Sequence, residues 1–252
     1  MRSSNPVLNA ASLDTFRGEF FPASQSMTIQ GTATKALILL GLCAATGSVT
    51  FSMTHTGNPA MAMPLVFGGL FGSLAFSIAT SFKPNWAPFT APLYALAEGL
   101  LLGGISGMYE RMFYGIVPQA ALATLGTMAA MLFAYKTGLI RASRGFMMGV
   151  AAATGGIALM YFVAIICSLF GMKLSFLSTP SPLGIVVCVG IVIVAALNLI
   201  IDFASIQRAA ESGAPKYYEW YSAFGLMVTL VWLYVEVLRL LAMIASLTRS
   251  SD

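Results

Sequence analysis

The stretch from Tyr217 to Ile244 constrains the fold of this chain more than any other. It is a nearly continuous apolar run that carries Glu219 at its start and Glu236 and Arg239 deep inside. About 20 apolar residues, at about 1.5 Å per residue, cross the hydrocarbon core of a bilayer. A charged side chain at that depth costs at least about 2.5 to 3.5 kcal/mol, so it usually faces protein or water. The run therefore predicts a transmembrane helix whose Glu236 face points into a bundle of other helices.

The composition excludes a soluble fold. Of the 252 residues, 58% are hydrophobic and only 9% are charged, whereas soluble domains carry about 25% charged residues. The mean hydropathy of the chain is +0.84. The net charge of +4 does not indicate binding to nucleic acid, because no run of basic residues is interleaved with aromatic ones. We therefore expect a polytopic membrane protein.

Seven apolar runs are long enough to be membrane-spanning helices. Their length, and their lack of a strict two-residue alternation, favour helices over a β-barrel. The runs are Ala33–Met53, Met61–Ser81, Pro88–Met108, Ile116–Tyr135, Phe146–Phe170, Leu183–Ile206 and Tyr217–Ile244. The predicted architecture is an all-α membrane protein with seven transmembrane helices over residues 33–246. A polar N-terminal tail over residues 1–32 and a short C-terminal tail over residues 247–252 flank this domain.

The basic residues divide unevenly between the two sides that alternating spans create. One side receives nine of them: Arg2, Arg17, Lys35, Lys83, Lys136, Arg141, Arg144, Arg208 and Lys216. The other side receives four: Arg111, Lys173, Arg239 and Arg249. Because cytoplasmic loops carry the excess of Lys and Arg, the N-terminus is predicted to lie in the cytoplasm. Residues 1–32 lack the apolar segment of a signal peptide, so we expect this tail to be retained.

Small residues are frequent within the predicted spans, notably at positions 68–73, 99–107 and 151–156. Glycine and alanine allow helix backbones to approach closely in lipid. Such segments are common in helix bundles, so they predict close packing and do not indicate a function.

Three of the nine acidic residues, Glu98, Asp202 and Glu236, lie well inside apolar runs, and Glu219 lies at the start of the seventh run. Intramembrane carboxyl groups often mark proton or ion sites, and carboxylate oxygens bind hard cations. Asn198 precedes Asp202 by about one helical turn, so both lie on one face of the sixth span. The alternative is that these acids are buried polar groups that help the helices to pack. For Glu236 the alternative is equally strong, because Arg239 follows at i+3 and can neutralise it.

Helical rise separates these acids in depth. Asp202 lies six residues before Arg208, and therefore about 9 Å inside the predicted cytoplasmic boundary. Glu219 begins the seventh span on the same side, and Glu236 follows seventeen residues later, about 25 Å further along. We therefore expect Asp202 to face the first half of the seventh span, between Glu219 and Thr229. It is not expected to share a site with Glu236.

No pattern in the sequence favours an enzyme. The single histidine, His55, is expected in a loop, so a metal-dependent hydrolase with several intramembrane histidines is disfavoured. Lys216 precedes the last span, which disfavours a retinal protein. Cys43, Cys167 and Cys188 lie inside apolar runs without metal-like spacing and are expected to be buried.

Four segments carry a resemblance to a known family. They are RSSNP at 2–6, APLYALAEGLLLGGIS at 91–106, NLIIDFASIQRAAESGAPKYYEWYSAFGL at 198–226 and TLVWLYVEVLRLL at 229–241. In these segments the chain resembles the Bax inhibitor (transmembrane Bax inhibitor motif) family, and specifically its bacterial YccA/YetJ-like branch. The resemblance implies seven transmembrane helices, six of them wrapped around a central C-terminal helix. It also implies a location in the bacterial cytoplasmic (inner) membrane.

The same resemblance implies a function. Bacterial relatives look like pH-sensitive calcium leak channels that use a pair of aspartates on spans six and seven. Asp202 matches the first of these aspartates, whereas Thr229 stands where the second would be. Other relatives are implied to modulate membrane proteases or cell-death machinery, which keeps a regulatory function open.

We therefore expect a pH-sensitive cation leak channel with Ca²⁺ as the ion. The residues predicted to bind the ion or proton are Asp202, also the predicted Ca²⁺ ligand, Glu98, Glu236 and Glu219, with Asn198, Thr229 and Arg239 in supporting positions. The alternative hypothesis is a non-conducting protein that regulates a membrane protease or another membrane protein. The expected partners are the lipid bilayer, Ca²⁺ and protons; a cofactor, catalysis and nucleic acid are not expected.

Overall fold

The described part of the chain is built from long α-helices. The computed structural model describes residues 26–57, 59–171 and 181–251. In these residues, seven helices are long and apolar enough to cross a membrane, which confirms the predicted fold class. They are α1 (Ile29–His55), α2 (Pro59–Phe82), α3 (Ala87–Met112), α4 (Ile116–Lys136), α5 (Arg144–Leu169), α6 (Pro182–Glu211) and α7 (Tyr218–Ser251), and a 3₁₀ turn at Pro84–Trp86 precedes α3.

The helices extend beyond the apolar runs that predicted them. The first helix begins at Ile29, because Thr28 caps its N-terminus by accepting a hydrogen bond from the backbone of Gly31. The last helix continues to Ser251, so the segment predicted as a C-terminal tail is helical up to that residue. His55, expected in a loop, is the last residue of α1. The part of the predicted N-terminal tail at positions 1–25 lies outside the described residues.

The chain divides into two compact units. The first contains the described residues up to Arg111 together with Ala204–Val228, and the second contains Met112–Phe203 and the residues from Thr229 onward. The first unit therefore holds α1, α2 and α3, the end of α6 and the start of α7. The second holds α4, α5 and the remaining parts of α6 and α7. The arrangement of six helices around α7 stays a prediction.

Glycine allows α1 and α3 to approach closely in the first unit. A Cβ atom on Gly99 would overlap the Thr46 side chain, and one on Gly103 would overlap the backbone of Gly47. The Thr46 hydroxyl donates a hydrogen bond of 2.9 Å to the Leu96 carbonyl and so links the two helices. The small residues at 99–107 therefore pack closely, as the sequence predicts.

The buried residues of the second unit lie mainly on α6 and α7. They include Cys188, Ala195, Leu199, Leu233 and Leu238. In α5, by contrast, no described atom lies within 4 Å of a Cβ placed on Gly155 or Gly156. The prediction that the segment at 151–156 packs closely is wrong for these two glycines, because both are exposed.

Many large apolar side chains point away from the protein. They include Phe71, Phe89, Leu122, Phe162 and Val186. An apolar surface of this extent is unusual for a protein in water but is expected for helices surrounded by lipid tails. The chain is therefore a multi-pass membrane protein in contact with the lipid bilayer.

Candidate functional site

Asp202 lies in α6 and has an incompletely satisfied carboxyl group. Its Oδ2 atom is buried and has no hydrogen-bond partner among the described residues. The hydroxyl of Thr229 in α7 is a hydrogen-bond partner of the carboxyl group. The structure therefore brings together the two residues at which the resemblance places an aspartate pair. No described basic side chain forms an ion pair with this carboxyl group.

Asn198 lies one turn before Asp202 on α6 and is held by two hydrogen bonds. Its Nδ2 atom donates to the Thr154 hydroxyl of α5 at 2.8 Å and to the Val194 carbonyl at 2.9 Å. Thr154 in turn donates its own hydrogen to the Val150 carbonyl at 2.9 Å. The Asn198 side chain is therefore fixed between α5 and α6, in the same unit as Asp202 and Thr229.

Glu98 is the second acid without a basic partner. It lies in α3 in the first unit and is 8% exposed. Ser73 of α2 is its hydrogen-bond partner. Cys43 and Tyr94 lie close enough to interact electrostatically with the Glu98 carboxyl group. Among the described residues, no Lys, Arg or His forms an ion pair with Glu98. Its surroundings are thus neutral and partly polar.

Glu219, in the first turn of α7, has the opposite environment. Its side chain is fully buried. Oε1 accepts hydrogen bonds from the backbone N–H of Thr28 at 2.9 Å and from the Thr28 hydroxyl at 3.1 Å. Lys216 pairs with the same oxygen at 2.9 Å, and Lys35 of α1 pairs with Oε2. This carboxylate therefore fastens the N-terminus of α1 to the first turn of α7.

The backbone around Glu219 is shaped to fit the carboxylate. A Cβ atom on Gly31 would overlap the Glu219 carboxylate, so the helix has a glycine where the acid approaches it. The Met27 N–H donates to the Ala214 carbonyl at 2.7 Å and adds a backbone link between the same segments. A negative charge is also favourable at a helix N-terminus. We refer to Thr28, Gly31, Lys35, Lys216 and Glu219 as the Glu219 clamp.

Glu236, deep in α7, is also paired with a base. Its Oε2 lies 2.8 Å from a terminal nitrogen of Arg239, as the i+3 spacing allows. The Tyr161 hydroxyl of α5 donates to Oε1 at 2.5 Å, and the guanidinium lies 5.4 Å from the centre of the Tyr161 ring. The Cys188 thiol of α6 lies 3.9 Å from Oε2. Glu236 and Asp202 have no hydrogen-bond or ion-pair partner in common among the described residues.

Several residues of these sites are not identified by the sequence. From the sequence, Lys35 is predicted to be one of the basic residues that orient the chain in the membrane. In the structure it lies in α1 and pairs with the buried acid Glu219. Tyr161, Thr154 and Ser73 are single polar residues in apolar helices and have no motif that marks them. Thr28 is the exception, because a threonine just before a helical run is a recognisable N-cap signal.

The ligands available for a metal ion are few. In the described residues, no group of three or more His, Cys, Asp and Glu side chains is arranged to hold one. The described hydrogen-bond partner of the Asp202 carboxyl is the neutral Thr229 hydroxyl, and Asn198, one turn away on α6, offers a neutral amide oxygen. A hard cation at this place would therefore bind one carboxylate together with neutral oxygens, which Ca²⁺ also accepts.

The comparisons with known proteins identify one family. The family model described as Bax inhibitor 1 like matches residues 5–246. This match includes α1 to α6 completely and α7 up to position 246. No curated protein and no solved structure matches the chain.

Proposed function

Because the chain belongs to the Bax inhibitor 1-like family, we propose that it is a pH-sensitive cation leak channel with Ca²⁺ as the conducted ion. The observation that supports this function is the Asp202 carboxyl group. It has a buried oxygen without a hydrogen-bond partner among the described residues, within a membrane-spanning helix. We further propose that the membrane is the bacterial inner membrane and that the N-terminus is cytoplasmic.

An unpartnered buried carboxyl oxygen is unfavourable, since its desolvation is not compensated. A proton bound to this oxygen removes the negative charge, and a bound cation balances it. Both bind at the same oxygen. Protons and cations therefore compete for Asp202, and cation binding weakens as the pH falls. This competition is the physical basis of the proposed pH sensitivity.

Because the partner of Asp202 is the neutral Thr229 hydroxyl, we expect the site to bind Ca²⁺ weakly. Relatives with an aspartate pair would offer a cation two carboxylates, whereas this chain offers Asp202 and the Thr229 hydroxyl. Affinity for divalent cations rises with the number of charged ligands. We therefore expect weak, rapidly exchanging Ca²⁺ binding, which suits a leak pathway better than a storage site.

The four predicted acids divide into two groups in this proposal. Asp202 and Glu98 have no basic partner among the described residues and are the proposed proton and ion sites. Glu219 and Glu236 are each paired with at least one base, so we propose that they hold helices together. Glu236 then has the structural role that its i+3 arginine favours.

Cation flux in proteoliposomes across a range of pH tests this function. The decisive variant is Asp202→Asn, which keeps the shape of the side chain but removes its charge. The matched control is Glu211→Gln, because Glu211 is an exposed acid at the end of the same helix. We expect the Asp202 variant to lose Ca²⁺ flux and its pH response while the control conducts like the wild type. If both keep wild-type flux and pH response, the channel mechanism is wrong.

The regulatory alternative predicts a different outcome. It is motivated by the polar tail at positions 1–32, most of which lies outside the described residues. Deleting positions 1–25 should then abolish regulation of a membrane protease or other partner. Cation flux should be unaffected by this deletion.

A further inference from the structure

The orientation of the Asn198 amide follows from its neighbours. Its Nδ2 atom lies 2.8 Å from the Thr154 hydroxyl and 2.9 Å from the Val194 carbonyl. A backbone carbonyl can only accept a hydrogen bond. Thr154 donates its single hydrogen to the Val150 carbonyl, so towards Asn198 it also accepts. Two acceptors require a donor between them, so the nitrogen takes this position and the Oδ1 oxygen points elsewhere.

Asn198, whose Oδ1 atom takes no part in these two hydrogen bonds, lies on the same face of α6 as Asp202. Residues four apart on a helix are neighbours on its surface. The structure describes no hydrogen bond to Asn198 Oδ1, while its Nδ2 has two. Asn198 is thus a second candidate ligand residue one turn from Asp202, and its amide is held by Thr154 of α5 and by Val194 of its own helix.

We propose that Thr154 is a positioning residue that holds Asn198 so that its Oδ1 atom binds the cation beside Asp202 and sets the selectivity among cations. This inference rests on the proposed channel function and adds the second ligand to its site. An amide oxygen is a neutral, hard ligand of the kind that coordinates Ca²⁺. Without the Thr154 hydroxyl, only the Val194 carbonyl holds the amide, so Oδ1 faces the ion less often and fewer oxygens surround a partly dehydrated ion. Ions of lower charge such as Na⁺, which depend less on strong oxygen ligands, then compete more effectively.

Three threonine variants separate positioning from general packing. Thr154→Val removes the hydroxyl at nearly constant volume, Thr154→Ser keeps it, and Thr124→Val is the matched control. Thr124 is a buried threonine of the second unit whose hydroxyl, like that of Thr154, donates within its own helix, to the Ala120 carbonyl at 2.8 Å, but which has no described hydrogen bond to another helix. The measurement is the ratio of Ca²⁺ to Na⁺ flux in proteoliposomes of the full chain.

We expect Thr154→Val to lower the Ca²⁺/Na⁺ ratio by about 3- to 10-fold, the effect of one lost hydrogen bond. Thr154→Ser should restore the ratio, and Thr124→Val should leave it unchanged. Asn198→Ala removes the proposed ligand directly and should lower the ratio at least as far as Thr154→Val does. A change in packing alone would alter the amount of folded protein and would not alter this ratio.

The outcomes distinguish the inference from the function on which it rests. If Asp202→Asn abolishes flux but Thr154→Val and Asn198→Ala keep the wild-type ratio, the inference is overturned and the channel function stands. If Asp202→Asn conducts like the wild type, the channel function fails and the inference fails with it. An equal fall of the ratio in Thr124→Val and Thr154→Val also overturns the inference, because a positioning role is specific to Thr154.

Discussion

Glu219 and Asp202 are both acids within long apolar helices, but their surroundings differ. The Glu219 carboxylate is fully buried and has two lysines, a hydroxyl and a backbone N–H as partners. The Asp202 carboxyl has a single hydroxyl as its partner and leaves one buried oxygen unpartnered among the described residues. A carboxylate whose partners are all fixed stabilises the fold. One that keeps an unpartnered oxygen, as we propose for Asp202, can accept a proton or a cation there.

The difference has a thermodynamic consequence. Removing one member of a buried ion pair leaves an uncompensated charge, which destabilises a protein by about 3 to 5 kcal/mol. Removing a buried charge that has no counter-charge avoids this penalty. Substitution of each acid by its amide should therefore lower the free energy of unfolding more for Glu219 and Glu236, which have basic partners, than for Asp202, which has none among the described residues.

The largest effect is expected for Glu219→Gln. Lys35, whose side chain is only 17% exposed, would lose its counter-charge. We expect the free energy of unfolding to fall by about 3 to 5 kcal/mol, measured by denaturant unfolding in detergent micelles. The control is Glu211→Gln, at an exposed acid. Equal stability of the two variants would show that the clamp does not hold the fold.

Glu236→Gln should have the next largest effect. Arg239 would lose its charged partner, while Tyr161 would keep a hydrogen-bond acceptor. Because Glu236 has one basic partner where Glu219 has two, the expected loss in the free energy of unfolding is smaller, about 1 to 3 kcal/mol. In the double variant with Arg239→Gln, the loss should be smaller than the sum of the two single losses, because the two side chains interact. Strict additivity would contradict a stabilising role for this pair.

Gly31→Ala tests the shape of the Glu219 clamp without changing any charge. The added methyl group would overlap the Glu219 carboxylate and force it away from its partners. We expect a loss of about 1 to 3 kcal/mol in the free energy of unfolding, as for other overpacked sites. Gly41→Ala is the matched control in the same helix, since no described atom lies within 4 Å of its added Cβ. That variant should be neutral or up to about 1 kcal/mol more stable.

The sequence predicts the helices well because hydrophobic length alone determines what crosses a bilayer. It also identifies Asp202, Glu98, Glu219 and Glu236, since acids are rare in apolar runs. It predicts the Arg239 partner of Glu236 because helical geometry relates residues three apart.

The remaining partners depend on how the helices pack. Tyr161 is 75 residues from Glu236 in the chain, and Lys35 is 184 residues from Glu219. Which side chains meet across such separations depends on the rotation and tilt of each helix, and hydrophobic periodicity does not specify these. For this reason the sequence predicts only that Lys35 helps to orient the chain, whereas the structure shows that it pairs with the buried Glu219.

The smallest effect on stability is expected for Asp202→Asn, and it makes the comparison with Glu219 most direct. The substitution removes a charge that has no basic partner among the described residues, and the Thr229 hydroxyl can still bond the amide. The free energy of unfolding should change by no more than about 1 kcal/mol in either direction, while Ca²⁺ flux is lost. The two variants are thus expected to have different effects: Glu219→Gln lowers the stability of the fold, and Asp202→Asn abolishes Ca²⁺ flux. A destabilisation of Asp202→Asn as large as that of Glu219→Gln would mean that Asp202 is also held by a fixed partner, and the distinction between the two acids would fail.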